Sequence, residues 1–289
     1  MSKNKKLSKG EESFNRFFTD FYEDRWERIS DSLNHPEKQI IRHCYQSKAG
    51  NMDWLPHASW FHKGDDAELV KQGRHINYIM SPASYFVALQ LPLKEDFVVL
   101  DMCAAPGGKS LVILEGLKRG KLVLNEISRN RREKLKSVIR KYRVEDDVDV
   151  ELKGLDGLKY GLQYPNFFDA IILDAPCSGE RHLVEKPSEL AKWSPKRTKR
   201  LAGIQYGLLC SAILALKPGG DLIYSTCSLS PLENENNIQK LLNKKSDQVQ
   251  LVKEVSLSAD IIEETEFGYY FLPDHSGIGP MFFSHLRKR

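Results

Sequence analysis

Two cysteines stand where a thiol offers chemistry rather than packing. Cys177 lies in LDAPCSGE (residues 173–180) and Cys227 in IYSTCS (residues 223–228). Each follows an apolar run that reads as a β-strand, and each is surrounded by small polar residues. A thiol at the open end of a strand suits nucleophilic catalysis, because a thiolate adds readily to an electron-poor carbon and also leaves well. Of the other three cysteines, Cys44 and Cys210 read as packing residues, Cys210 within the apolar helix LLCSAILAL. The cysteine count is odd and no Cys or His spacing fits a zinc site, so no metal is expected, and a reducing cytoplasmic compartment is.

Other strand ends carry polar groups as well. In DMCAAPGGKS (residues 101–110), Gly107 and Gly108 allow close approach of backbone to a ligand, and a helix follows. The glycine–lysine spacing is not that of a Walker A loop, and the GxGxxG dinucleotide pattern is lacking. Glu126 ends the next strand, nineteen residues past Gly107. An acid there accepts hydrogen bonds from ribose hydroxyls, the plainer alternative being a surface glutamate. Asp156, in KGLDG, reads either as a contact to an adenine amino group or as an ordinary Asp-Gly turn. Asp174, Pro176 and Cys177 are expected to face one crevice together with Cys227.

The elements that must position these groups follow a simple rhythm. FVVLD, KLVLN, VDVEL, DAIILD and DLIYST alternate with helical stretches, the pattern of an α/β fold with a parallel sheet covered on both faces. Ligands bind such sheets beyond the carboxyl ends of the strands. GYYFLPD and MFFSHL, separated by HSGIG, predict a terminal antiparallel hairpin, and SYFVALQL (84–91) a buried helix. An amphipathic helix is predicted over 12–33, with short helices and loops from His35 to about Met80. The expected division is an N-terminal helical segment (1–80), too short to fold alone, packed on a larger catalytic domain (81–289).

Composition narrows the class. Of 289 residues, 41% are apolar and 28% charged, ordinary for a soluble globular chain. No apolar run reaches the roughly 18–20 residues of a membrane span, and the basic start MSKNKKLSKG leads into no apolar stretch, so neither membrane insertion nor a signal peptide is expected. The net charge of +4 is modest, but residues 129–143 carry eight basic side chains and residues 186–200 carry six. Each run reads either as a phosphate-neutralising surface or as a solvated helix face. Trp193, inside the second run, either stacks on a base or packs beneath the loop. A monomer is expected.

DMCAAPGGKS, LDAPCSGE, KPGGDLIYSTCSL and LENE, in that order, resemble the motifs of the RsmB/NOP (Nol1/Nop2/Sun) RNA cytosine-C5 methyltransferases over roughly residues 78–289. The chain ending and the stretch YIMSPASYFVALQLPL further resemble the compact branch that includes mitochondrial members. The resemblance implies a class I, Rossmann-like methyltransferase fold with a mostly parallel seven-stranded sheet. It implies an S-adenosyl-L-methionine site at Cys103, Ala104, Ala105, Pro106, Gly107, Gly108, Lys109, Glu126, Asp156 and Asp174. It implies Cys227 as the nucleophile that adds to carbon 6 of a cytosine, with Cys177 assisting product release. Asp174 is then the candidate for handling the proton at N3, in a protonated form, and Lys109 a cation that favours the thiolate. RNA is the implied partner, ribosomal ahead of transfer RNA, and the N-terminal segment (1–80) is expected to widen the RNA surface. DNA cytosine-C5 methyltransferases use the proline–cysteine thiol instead, which the cysteine of YSTCS argues against. A non-catalytic RNA-binding or assembly factor on the same fold is the alternative from another class. The chain departs from many relatives in carrying GERHL where they have small, neutral residues, and no NusB-like or PUA-like stretch is evident.

Overall fold

The computed structural model describes residues 7–43, 58–62, 70–71, 74–75, 77–143 and 147–289. Cys44 and much of the stretch between residues 44 and 76 lie outside them. The predicted N-terminal helix is two helices, α1 (Lys9–Tyr22) and α2 (Arg25–Leu33), interrupted at Glu23, whose φ is +49°. Ser8 starts α1 with a capping box: its hydroxyl accepts from Glu11 N while Glu11 accepts from Ser8 N. The expectation of short helices and loops up to Met80 does not hold for the described residues. They form strands: β1 (Ile40–His43), β2 (Ala58–Trp60), β3 (Val70–Lys71), β4 (Arg74–His75) and β5 (Asn77–Met80). β2-β1-β5 make an antiparallel three-stranded sheet, and β3 pairs with β4. Strands of two to four residues are too short to display a two-residue period in sequence.

From α3 (Pro82–Leu89) onward the expected α/β alternation appears. Five parallel strands, β6 (Val98–Asp101), β7 (Gly120–Asn125), β8 (Val148–Lys153), β9 (Phe168–Asp174) and β10 (Leu216–Thr226), lie in the order β8-β7-β6-β9-β10. The sheet grows to nine strands by adding β11 (Val249–Val252), β12 (Glu263–Glu264), β13 (Tyr269–Phe271) and β14 (Met281–Lys288). β13 and β14 are the expected hairpin, with β14 antiparallel to β10. β11 and β12 are the two beyond the seven expected; both pair antiparallel at the hairpin's side of the sheet.

The connecting helices are α4 (Gly108–Gly116), α5 (Arg129–Tyr142), α6 (Tyr160–Gln163), α7 (Glu180–Val184), α8 (Pro187–Leu190), α9 (Pro195–Ala215), α10 (Glu235–Lys245) and α11 (Pro273–Ser276). Alternate strand residues feed two buried clusters, one on each face. Val99, Ile172 and Ile223 join Phe86 and Ile113 on one side; Leu100, Ile171, Leu173 and Leu222 join Leu209 and Phe14 on the other. The N-terminal segment serves both: Ile40 and Met80 enter the first cluster, while Phe14, Phe18, Trp26 and Ile29 enter the second.

Trp193 is only 4% exposed, with its ring centroid 5.3 Å from those of Phe14 and Phe17. It packs; it is not free to stack on a base. Gly10 makes this docking possible, since a Cβ there would lie 2.3 Å from the Ala191 carbonyl oxygen.

Candidate active site at the carboxyl edge of the sheet

The strand order reverses between β6 and β9, which makes their carboxyl ends the natural place for a ligand. β9 ends at Asp174 and β10 at Thr226, and the parallel register sets Asp174 beside Ser225. The loops leaving these strands therefore start side by side. Cys177 and Cys227, fifty residues apart in sequence, come to an Sγ–Sγ distance of 2.8 Å, and Cys227 N donates to Cys177 Sγ at 3.3 Å. Cys227 is exposed and Cys177 half-buried. The hydrogen bond with Cys227, and then burial, push the Cys177 thiol well above the ordinary thiol range. Cys177 is thus held as a thiol, with Cys227 the more accessible sulfur.

Beside the sulfurs, Lys109 Nζ donates to Asp174 Oδ2 at 2.8 Å and to Ser84 Oγ at 3.0 Å, while Ser225 Oγ donates to Asp174 Oδ1 at 2.9 Å. Both carboxylate oxygens of Asp174 accept hydrogen bonds, one from an ammonium, which is the geometry of a carboxylate and not of the protonated acid expected from the sequence. Lys109 reaches this position from the first turn of α4. That helix begins at Gly107, whose φ of +116° suits glycine and whose missing Cβ would lie 3.0 Å from Leu135 Cδ1 and 3.1 Å from Val138 Cγ1. Behind Lys109, Asp101 accepts from Ser110 Oγ at 2.6 Å, and burial pushes its carboxyl up to about 7.

A cleft of about 470 Å³ runs from the thiols along the strand ends, with Cys103, Glu126, Asp156, Asp174, Cys177 and Cys227 in its wall. Met102, Ile127, Leu158 and Leu208 supply apolar surface. A wall that mixes carboxylates with apolar contacts suits a nucleoside with free ribose hydroxyls. Asn125 braces the strand ends, donating to the Met102 and Leu155 carbonyls and accepting from Leu155 N. Asp156 accepts from Leu158 N at 3.1 Å, so it is a turn-forming residue that also lines the cleft. A second cleft of about 270 Å³ is lined by Cys103, Ala104, Ala105, Pro106, Gly108, Lys109 and Asp174, together with Tyr78, Ser81 and Ser84. The residues singled out in the sequence thus divide between two clefts that meet at Cys103 and Asp174, while Gly107 lines neither and shapes the loop. Cys103 lines both clefts, and burial pushes its thiol above the ordinary range.

Arg131 and Ser84 are site residues that the sequence did not single out. Arg131 Nη1 lies 3.1 Å from Glu126 Oε2 and its Nη2 donates to the Ala105 carbonyl at 2.8 Å. Arg132 donates to the Glu126 carbonyl at 2.7 Å. Arg131 thus lines the cleft while its side chain stays half exposed, and Arg132 braces the end of β7 beside it. Their signal was position: Ser128 caps α5, which directs its first turn at the β7 end. In the 186–200 run, Lys196, Lys199 and Arg200 are exposed and Arg197 partly so, and none of the four forms an ion pair among the described residues.

Comparison with known proteins matches residues 88–287 to the family described as 16S rRNA methyltransferase RsmB/F. The chain is 32% identical over 262 residues to the 5-cytosine rRNA methyltransferase NSUN4 of Mus musculus, covering 85% of this chain and 66% of that protein. It is 38% identical over 172 residues to the mitochondrial tRNA (cytosine(34)-C(5))-methyltransferase of Mus musculus, covering 59% of this chain and 49% of that one. The chain thus spans about half to two thirds of the length of these relatives. In fold it superposes on a methyltransferase homolog protein from Pyrococcus horikoshii with a TM-score of 0.75 at 24% identity, covering 96% of this chain and 94% of that one.

Proposed function

The chain belongs to the RsmB/F methyltransferase family, and from that premise we propose that it methylates carbon 5 of a cytosine in RNA, with S-adenosyl-L-methionine as donor. Ribosomal RNA is the proposed substrate class ahead of transfer RNA, on the strength of the family's 16S rRNA description. The observation that carries the reading is the pair of thiols 2.8 Å apart beside the Lys109–Asp174 ion pair, at the switch point of the sheet.

Glu126 and Asp156 would hold the adenosine part of the donor in the larger cleft, next to Met102 and Ile127. Bound there, S-adenosyl-L-methionine supplies the electrophilic methyl group that carbon 5 takes up. Carbon 5 of cytosine is too weak a nucleophile by itself. Cys227, the exposed sulfur, adds as a thiolate to carbon 6, and the ring's π electrons shift toward N3. The Lys109–Asp174 pair faces that developing charge, and its ammonium proton is the one available for N3. Carbon 5 is then enamine-like. After methylation the C5 hydrogen must leave as a proton. Cys177, or a base acting through it, removes it; the electrons re-form the C5–C6 double bond and expel the Cys227 thiolate. Cys177 rests as a thiol, so it gives its own proton to water before it accepts the one from carbon 5.

The target base has to leave its stack to reach a cleft of this kind, which unpaired RNA permits at little cost. The residues of the N-terminal segment, packed on both faces of the catalytic sheet, are proposed to extend the RNA surface. The test is transfer of labelled methyl from S-adenosyl-L-methionine to RNA, followed by nucleoside digestion. Label at 5-methylcytidine supports the proposal; label in another nucleoside, or none, overturns it.

A further inference from the structure

Beneath the two thiols lies a buried acid pair that the reaction above does not use. Glu180 and Glu233 are each 0% exposed. Each belongs to one cysteine loop and binds the other: Glu233 Oε2 accepts from Ser178 N at 3.0 Å, and Glu180 Oε2 accepts from Leu229 N at 2.7 Å. Glu233 also accepts from Gln205 Nε2 at 2.7 Å, the same amide that donates to the Pro176 carbonyl at 2.9 Å. Ser178 and Ser228, the residues after the two cysteines, have their hydroxyl oxygens 3.0 Å apart. The cross-braced serines thus repeat, one residue along, the pairing of the sulfurs.

The protons in this cluster can be counted. The Ser178 hydroxyl oxygen is in hydrogen-bond contact with Oε1 of both Glu180 and Glu233. It owns a single hydrogen and can donate to one of them only. If both acids were ionised, the other contact would set a carboxylate oxygen against a hydroxyl lone pair. One further proton on the pair closes the chain: the protonated acid donates to Ser178, and Ser178 donates to its partner. Among the described residues no lysine, arginine or histidine forms an ion pair with either carboxylate. The titratable groups that feel the charge of the pair are the Cys177 thiol and the phenols of Tyr22, Tyr224 and Tyr270, and beyond these lie the acids Glu235, which acts on Tyr22 and Tyr270, and Asp174, which acts on Cys177 and Tyr224. Arg25, the nearby cation, is engaged by Glu263 and Asp274. Burial, and then the charge of Glu233, push Glu180 up to about 7, and burial raises Glu233 as well.

We propose that Glu180 and Glu233 share one proton and are positioning residues for Cys177 and Cys227, holding the two thiols together while the proton is present and letting the loops separate when it is lost. In the reaction this inference builds on the proposed cytosine chemistry, but its structural content is the spacing of two sulfurs.

The test uses phenylarsine oxide, which binds two nearby thiols at once, on the full chain without RNA, across the range from about pH 6 to pH 9. Affinity is compared between the wild type and Glu180→Gln, whose amide keeps an acceptor for Leu229 N and offers hydrogens to Ser178 and Ser228. The ratio cancels the ordinary ionisation of the thiols. It should be near one at low pH and climb toward about tenfold in favour of Glu180→Gln by the top of the range, as the wild-type pair loses its proton. Glu180→Ala, which has no acceptor for Leu229 N, should bind weakly at every pH. A ratio that stays flat, or an alanine variant equal to the glutamine variant, overturns the proposal. Should Glu180→Gln fail to fold, Glu233→Gln supplies the same fixed hydrogens from the other side and carries the same expectation. Methyl transfer by the same preparations separates the two readings: an inactive wild type with the expected ratio removes the cytosine chemistry alone, whereas an active wild type with a flat ratio removes the acid pair alone.

Discussion

Arg131 closes over Glu126: one guanidinium nitrogen lies 3.1 Å from the carboxylate, and another holds the Ala105 carbonyl at 2.8 Å. Glu126 is 3% exposed beneath it, with its second oxygen accepting from Ser128 N at 2.8 Å. The guanidinium thus links the end of β7 to the loop before α4, two parts of the proposed donor site. Glu126→Ala should weaken S-adenosyl-L-methionine binding by about 1–3 kcal/mol, the usual loss for hydrogen bonds to a charged acceptor. Arg131→Ala should weaken it too, by loosening the loop. Isothermal calorimetry giving wild-type affinity for the Glu126 variant would remove that residue from the site.

The two thiols are expected to fail in different ways. Cys227→Ala should abolish methylation and leave donor binding intact. Cys177→Ala should stall after methyl transfer and accumulate a protein–RNA adduct that survives denaturing electrophoresis. An adduct in the Cys227 variant and none in the Cys177 variant would show the roles to be exchanged.

Much of this site was legible because strand ends are legible. Five apolar runs predicted five parallel strands, and the rule that ligands sit at carboxyl ends then collected Glu126, Asp156, Asp174 and both cysteines without any coordinates. What the sequence concealed were partners contributed by residues of ordinary type. Arg131 looked like one basic residue among eight, and Ser84 like a member of a buried helix. Glu180 read only as an oddity of GERHL, since nothing local reveals that it binds the loop after Cys227. The strands β1, β2 and β5 were missed for a different reason. Their pairing partners lie up to about forty residues away, and segments of three or four residues carry no period to read.

Lys196, Arg197, Lys199 and Arg200 follow the loop that leaves Cys177, and their charges are unpaired among the described residues. If they face the RNA backbone, replacing Arg197 and Arg200 by alanine should lower the slope of log affinity against log salt by roughly 1 to 1.5, at about 0.7 per phosphate contact for single strands. Arg129 and Arg140, on the exposed side of α5, are the matched control and should change it less. An unchanged slope for the first pair with a reduced one for the second would put the RNA on the other face.

Asp101 gives the fold a pH dependence with a definite sign. Its carboxyl, fully buried, is raised from 3.8 to about 7. The folded state therefore holds the proton more tightly than the unfolded chain. The stabilisation is complete below about pH 4 and is lost as pH climbs to about 7, on the order of a few kcal/mol in total. Asp101→Asn cannot titrate, so its melting temperature relative to wild type should rise between about pH 5 and pH 7.5. A constant difference across that range would mean that Asp101 is ionised throughout.

The aromatic cluster of Phe14, Phe17, Phe18 and Trp193 joins α1 to the segment that carries the chain from Cys177 into α9. Phe14 and Phe18 line neither cleft, yet they support the indole on which that segment rests. A genetic screen for loss of activity will therefore recover substitutions at the extreme amino end of the chain alongside those at the cysteines. Second-site suppressors of such lesions are to be sought around Leu190 and Trp193, the receiving side of the joint, rather than among the residues that touch RNA or donor.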